Sequence, residues 1–70
     1  MFYFAEIGVM DKKNEFCFVS RYVFLKNEVK NRKEAAQIAK ERTLKLLKLA
    51  LSEERMNDIS VHVASAWEKS

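Results

Sequence analysis

Residues 32–51 read RKEAAQIAKERTLKLLKLAL, and this stretch decides the fold. Ala, Gln, Lys, Glu, Arg and Leu are good helix formers, and no Gly or Pro interrupts them. Asn31 stands just before the stretch with Glu34 three residues on. At that spacing an Asn side chain accepts from an orphan backbone N–H while the Glu reaches back; Asn27 is a rival start. At about 100° per residue, Ala36, Ala39, Thr43, Leu46, Leu47 and Ala50 share one stripe, edged by Leu44 and Leu51, and this is the face expected to be buried. Glu34, Lys40, Glu41, Lys45 and Lys48 populate the rest, with Glu41 and Lys45 spaced for an i,i+4 ion pair. Ile38 and Leu49 lie off the stripe, beside Arg42 and Lys45. They are either isolated exposed residues or part of a second contact surface.

Seventy residues leave room for one such helix and for one domain, near the lower end of what folds unaided. At this size chain ordering and apolar burial nearly cancel, so a dimer mate or a bound partner would add needed stability. A hydrophobic fraction of 49% argues against disorder. The single cysteine, Cys17, cannot form an internal disulfide, which points to a cytoplasmic setting. The first residues, MFYFAEIGVM, lack a basic n-region and meet Glu6 early, and no apolar run approaches the length of a membrane span. Neither export nor membrane insertion is expected. Between Lys26 and Lys48 lie eight basic residues against three acidic, a net +5; the remainder has five against seven, a net −2. A basic helical segment against an acidic remainder can steer an anionic partner, although its charges are spread around the helix.

Upstream of the helix, residues 2–9 alternate as a strand, with Tyr3, Ala5, Ile7 and Val9 on one side and Phe2, Phe4, Glu6 and Gly8 on the other. Asp11, Lys12, Lys13 and Asn14 supply a polar turn, and residues 15–25, EFCFVSRYVFL, form a second strand rich in aromatic and β-branched residues. A hairpin loop centred on Lys12 and Lys13 pairs residues whose numbers sum to about 25, opposing Val9 to Phe16, Ile7 to Phe18, Tyr3 to Tyr22 and Ala5 to Ser20. That register puts Tyr3, Ala5, Ile7, Val9, Phe16, Phe18, Tyr22 and Phe24 on the core side. Phe2, Phe4, Glu6, Gly8, Cys17, Val19, Arg21 and Val23 take the other side, with Glu6 and Arg21 as diagonal neighbours. An odd-numbered loop would exchange the faces.

Downstream, SEERMND supplies polar turn chemistry. Residues 59–67, ISVHVASAW, form a third strand, with Ile59, Val61, Val63 and Trp67 inward and Ser60, His62, Ala64 and Ala66 outward. The tail is expected to fray after Trp67. The fold class is therefore α+β, in the order β-β-α-β: a three-stranded antiparallel sheet of strand order 2-1-3, with one long helix packed on one face.

No enzyme is indicated, because one His, one Cys and one Gly cannot supply convergent catalytic groups. Cys17 and His62 share a face but would be separated by a strand, and a zinc site would lack ligands. A phosphate-cradling loop needs glycines that are absent. Neither a cofactor nor a small-molecule substrate is expected. The face left uncovered by the helix mixes Phe2, Phe4, Val19 and Val23 with Glu6, Arg21 and His62, a composition suited to docking a protein, either a different one or a second copy. The helix surface around Ile38, Arg42, Lys45 and Leu49 is the alternative docking site. Free strand edges offer a further route. The competing expectation is nucleic-acid binding, with sheet aromatics stacking bases and basic residues meeting phosphates; Glu6 in the middle of that face counts against it. In size and layout alone, the chain resembles the small proteins of bacteriophages and mobile elements, including anti-CRISPR and other host-takeover inhibitors. That resemblance implies a stoichiometric inhibitor and carries no site residues.

Overall fold

A computed structural model describes residues 1–70. In chain order the elements are β1 (Phe2–Asp11), β2 (Phe16–Leu25), α1 (Arg32–Ala50), the single turn α2 (Glu53–Met56) and β3 (Ile59–Lys69). The three strands are antiparallel in the order β2-β1-β3, with α1 packed on one face, as the sequence pattern implies. The capping residue is Asn31, whose side chain accepts from the Glu34 N–H at 2.8 Å, while the Glu34 carboxylate accepts from the Lys30 N–H at 3.3 Å. Glu41 accepts from Gln37 at 3.5 Å rather than pairing with Lys45. The polar stretch after α1 holds α2, an element absent from the sequence reading: Ser52 caps it, and its Oγ accepts from the Arg55 N–H.

The β1–β2 hairpin has the expected faces in a different register. Its turn spans residues 12–15, with Glu15 in the left-handed region at φ 51°. The Asp11 carboxylate accepts from the Lys13 and Asn14 N–H groups and from the Asn14 side-chain amide. This closed, Asp-capped turn starts one residue later than a loop centred on Lys12 and Lys13. The pairing therefore shifts by two, to Tyr3 with Phe24, Ala5 with Tyr22, Ile7 with Ser20 and Val9 with Phe18. A shift of two preserves side-chain parity, so neither face is exchanged.

In β3 the parity does change. Ile7 pairs with Val63 and Glu6 with Ser65, which leaves Ala64 as an unpaired bulge residue. Beyond it Ala66 turns toward α1 beside Ala5, and Trp67 turns to the opposite face beside Phe4, reversing the sequence assignment of both. The bulge thus puts alanine instead of tryptophan beneath the helix. The expected fraying also fails: Glu68 and Lys69 pair with Tyr3 and Phe2.

α1 lies over β1 and β3 and barely reaches β2. Its buried residues are Ala35, Ala39 and Thr43, and Leu47 and Leu51, the next steps of the same i+4 row, are half-buried. Such a row winds around the helix, so the line of contact moves away from the β2 side toward the C-terminus. The straight stripe read from the sequence misses this. Leu46 and Ala50 lie on that stripe yet are exposed, whereas Ile38, off the stripe, is half-buried against the core. That core consists of Tyr3, Ala5, Ile7, Phe24, Val29, Ala35 and Ala39. Alanines at the contact let the helix approach β1 closely. The Tyr22 and Thr43 hydroxyls are hydrogen-bonded at 2.9 Å, and the Thr43 hydroxyl donates to the Ala39 carbonyl at 2.9 Å. No helix is long and apolar enough to cross a membrane.

Candidate functional site

The face of the sheet opposite α1 carries three-residue rows across β2, β1 and β3. They are Leu25, Phe2, Lys69; Val23, Phe4, Trp67; Arg21, Glu6, Ser65; and Val19, Gly8, His62. All seven residues singled out on the sheet, Phe2, Phe4, Glu6, Val19, Arg21, Val23 and His62, lie on this face. Trp67 joins them because of the bulge, which no Gly or Pro announces in the sequence.

At the centre the Phe4 and Trp67 rings stack at 5.1 Å with their planes 8° apart. Stacking between neighbouring strands, at nearly the strand spacing, requires both rings to stand upright on the sheet. Arg21 reaches across β1 to lie 5.7 Å from the Trp67 ring centre, and its guanidinium bonds the Glu6 carboxylate at 2.9 Å. Glu6 and Arg21 are directly opposite in the observed register, which converts the expected diagonal pair into a direct one. Being largely exposed, this pair contributes little to stability, and its role is to neutralise the centre of the face. Phe2, Val19, Val23 and Met10 surround the cluster and are exposed.

His62 lies over Gly8, where a Cβ would collide with the imidazole ring. The missing side chain gives the ring a flat seat. Cys17 and His62 share the face but lie on β2 and β3 with β1 between them, Cys17 opposite Met10 and His62 opposite Gly8, so two strand spacings of about 9–10 Å and a two-residue offset keep their side chains out of hydrogen-bond reach. No group of three or more His, Cys, Asp or Glu side chains gathers anywhere.

On the helix side the alternative set divides. Ile38 is half-buried at the margin of the core. Arg42, Lys45 and Leu49, with Leu46 and Tyr22, line a groove between α1 and β2. Arg42 also lies 5.3 Å from the Phe24 ring centre. Because α1 does not cover β2, Phe16 and Phe18 are exposed as well, although the sequence pattern places both in the core. Between them and the C-terminal end of α1 is an apolar cavity of about 210 Å³, lined in part by Val9, Leu47, Leu51 and Ile59.

At the turn end of the sheet, Arg55 of α2 bonds both Asp11 and Asp58. The Arg55 guanidinium, together with the Asn14 donors, holds the Asp11 carboxyl below its ordinary range, against the opposing effect of its burial. This cluster ties the hairpin turn to α2 and has a structural role. Comparison with protein-family models, curated proteins and solved structures finds no match to this chain.

Proposed function

We propose that this chain is a non-enzymatic module that docks a protein partner on the open sheet face. The observation that carries this reading is the Phe4–Trp67 stack, topped by an Arg21 already neutralised by Glu6 and ringed by exposed Phe2, Val19 and Val23. An aromatic anchor within an apolar surround, with its charges paired, suits burial beneath another protein. It suits a nucleic acid poorly. A phosphate needs an unpaired cation, which at the centre of the face Arg21 is not, being committed to Glu6, and upright rings each lose one side to their own stack and lie flat for no base. The small size and layout support a stoichiometric inhibitor of the anti-CRISPR or host-takeover kind, acting in the cytoplasm.

Trp67 is the only tryptophan and reports on the site directly. Wild-type chain should retain a host protein in stoichiometric amount, with its Trp67 emission shifted to the blue, and the Trp67→Ala chain should not retain it. Equal retention by both chains would remove the open face as the site. A salt-sensitive change in Trp67 emission on adding a random single-stranded oligonucleotide would favour nucleic acid instead.

A further inference from the structure

The outer edge of β2 is a second surface, and its backbone defines what fits it. Leu25 at its end donates its N–H to the Glu28 carboxylate at 2.7 Å and accepts from the Glu28 N–H at 2.9 Å, so its peptide groups point away from β1. Peptide groups alternate along a strand, and the β1–β2 register is unbroken. Hence Val23, Arg21, Val19 and Cys17 also point outward. The opposite end of β1 agrees: the Lys12 N–H donates to the Asp58 carbonyl at 2.9 Å on the β3 side. Odd-numbered residues of β1 therefore face β2, and they are paired with even-numbered residues there. Four residues of β2 thus present N–H and C=O groups to the outside, and none of these groups has a backbone partner.

This edge lacks the usual protection. The chain has no Pro, the strand has no bulge against β1, and its one charge, Arg21, is tied to Glu6. Of its ten residues only Phe24 is buried.

We propose that a second copy of this chain pairs along β2 about a two-fold axis through Ser20, joining the two sheets into one of six strands. Two-fold pairing of identical strands in one sheet must be antiparallel and keeps both helices on one side. Residues 17, 19, 21 and 23 are symmetric about Ser20. A register in which paired numbers sum to 40 therefore matches Cys17 with Val23 and Val19 with Arg21 of the second copy, and satisfies every free group. Sliding by two residues leaves one residue of each strand unpaired, and in one direction sets Arg21 against Arg21. In the symmetric register Phe16 meets Phe24 and Phe18 meets Tyr22, aromatic cross-strand pairs on the helix side. On the axis, where identical side chains must meet, stands a serine.

The side chains left exposed on this flank are Phe16, Phe18, Val19, Val23, Leu25, Leu46 and Leu49. Phe16, Phe18, Leu46 and Leu49 among them lie on the helix side, where pairing brings the apolar side chains of the two copies together on either side of the axis. Pairing leaves both open faces free on the same side, so it goes beyond the docking of another protein and does not depend on it.

The test combines crosslinking with charge. Ser20 of each copy would form a non-hydrogen-bonded pair with Cα atoms about 4.5 Å apart, within disulfide reach. Two copies of residue 19 are displaced along the strands to beyond about 7 Å. Under mild oxidation the Cys17→Ser, Ser20→Cys chain should become a disulfide-linked dimer, and the Cys17→Ser, Val19→Cys chain should not. In light scattering wild type should have twice the 8.2 kDa chain mass. Val19→Lys, which faces Arg21 of the second copy, should be a folded monomer by circular dichroism, while Val19→Glu should remain dimeric. A wild type of single-chain mass at all concentrations, equal crosslinking at positions 19 and 20, or a dimeric Val19→Lys chain would each overturn the proposal. Loss of partner capture in Trp67→Ala, three strands from the axis, would leave it intact.

Discussion

Replacing Phe24 and Phe18 by alanine, one at a time, tests where α1 sits. Both rings lie on the helix side of β2, and their sequence settings are nearly equivalent. Phe24 is 2% exposed and packs with Val29 and Tyr3, whereas Phe18 is 41% exposed because α1 does not cover it. Truncating Phe24 removes a fully buried ring and leaves a sealed cavity, costing about 3–5 kcal/mol. Truncating Phe18 forfeits only part of that area and opens to solvent, costing about 1–2 kcal/mol. For a chain of this length the whole stability is on the order of 4–10 kcal/mol, so the first change brings the fold close to collapse. Urea titration in the monomeric Val19→Lys background holds association constant. With a slope of about 1.3 kcal/mol per M, the midpoint should fall by about 3 M for Phe24→Ala and about 1 M for Phe18→Ala. Equal losses would mean that α1 covers β2 as fully as β1, refuting the winding contact line and the exposed flank derived from it.

The same line of contact predicts that Ala39→Leu costs about 1–3 kcal/mol by overpacking, while Leu46→Ala in the monomeric background stays within about 0.5 kcal/mol of its parent; the reverse order in urea midpoints would restore the straight stripe. Thr43→Val, which removes the hydroxyl shared with Tyr22 and the Ala39 carbonyl, should cost about 0.5–1.5 kcal/mol. Asp11 has a lowered carboxyl pKa, caused first by Arg55. Its contribution is therefore fully present above the unfolded carboxyl value of 3.8 and is lost as pH falls through the lower folded value. In urea midpoints taken from pH 6 to pH 2, Asp11→Asn should lack that part of the acid loss, and an identical pH slope would remove the assignment. Gly8 has no positive φ, so Gly8→Ala should only push the exposed His62 ring off its seat, with stability within about 1 kcal/mol of wild type; a loss above about 2 kcal/mol would show the ring to be locked.

Much of the architecture is legible in the chain because local chemistry and global layout agree. The Asn31 cap, the helix formers of α1 and the alternation in β1 and β2 all lead to the same β-β-α-β sheet. The open face was also legible for β1 and β2, since a turn error of two residues preserves parity. Its tryptophan was not. The bulge at Ala64 carries no turn residue, and its consequence is that Ala66 rather than Trp67 lies on the helix side of β3, beside Ala5. The helix stripe failed for a related reason. Periodicity gives the angle of each side chain around the axis, but how the contact line crosses the sheet depends on which tertiary contacts are smallest. Those are the alanines, and the large residues Leu46, Leu49, Phe16 and Phe18 are left outside. That β2 is a free edge was legible from the strand order, but which of its peptide groups face outward is fixed only by the Leu25–Glu28 hydrogen bonds.

The most direct measurement is the light-scattering mass of the wild-type chain, alone and with a random-sequence single-stranded oligonucleotide. β2 pairing predicts twice the 8.2 kDa chain mass, and protein docking on the open face predicts that this mass is unchanged by the oligonucleotide at low or high salt. A monomer whose mass rises with the oligonucleotide and falls back in high salt would contradict both, and would assign the sheet and the basic helix to nucleic acid.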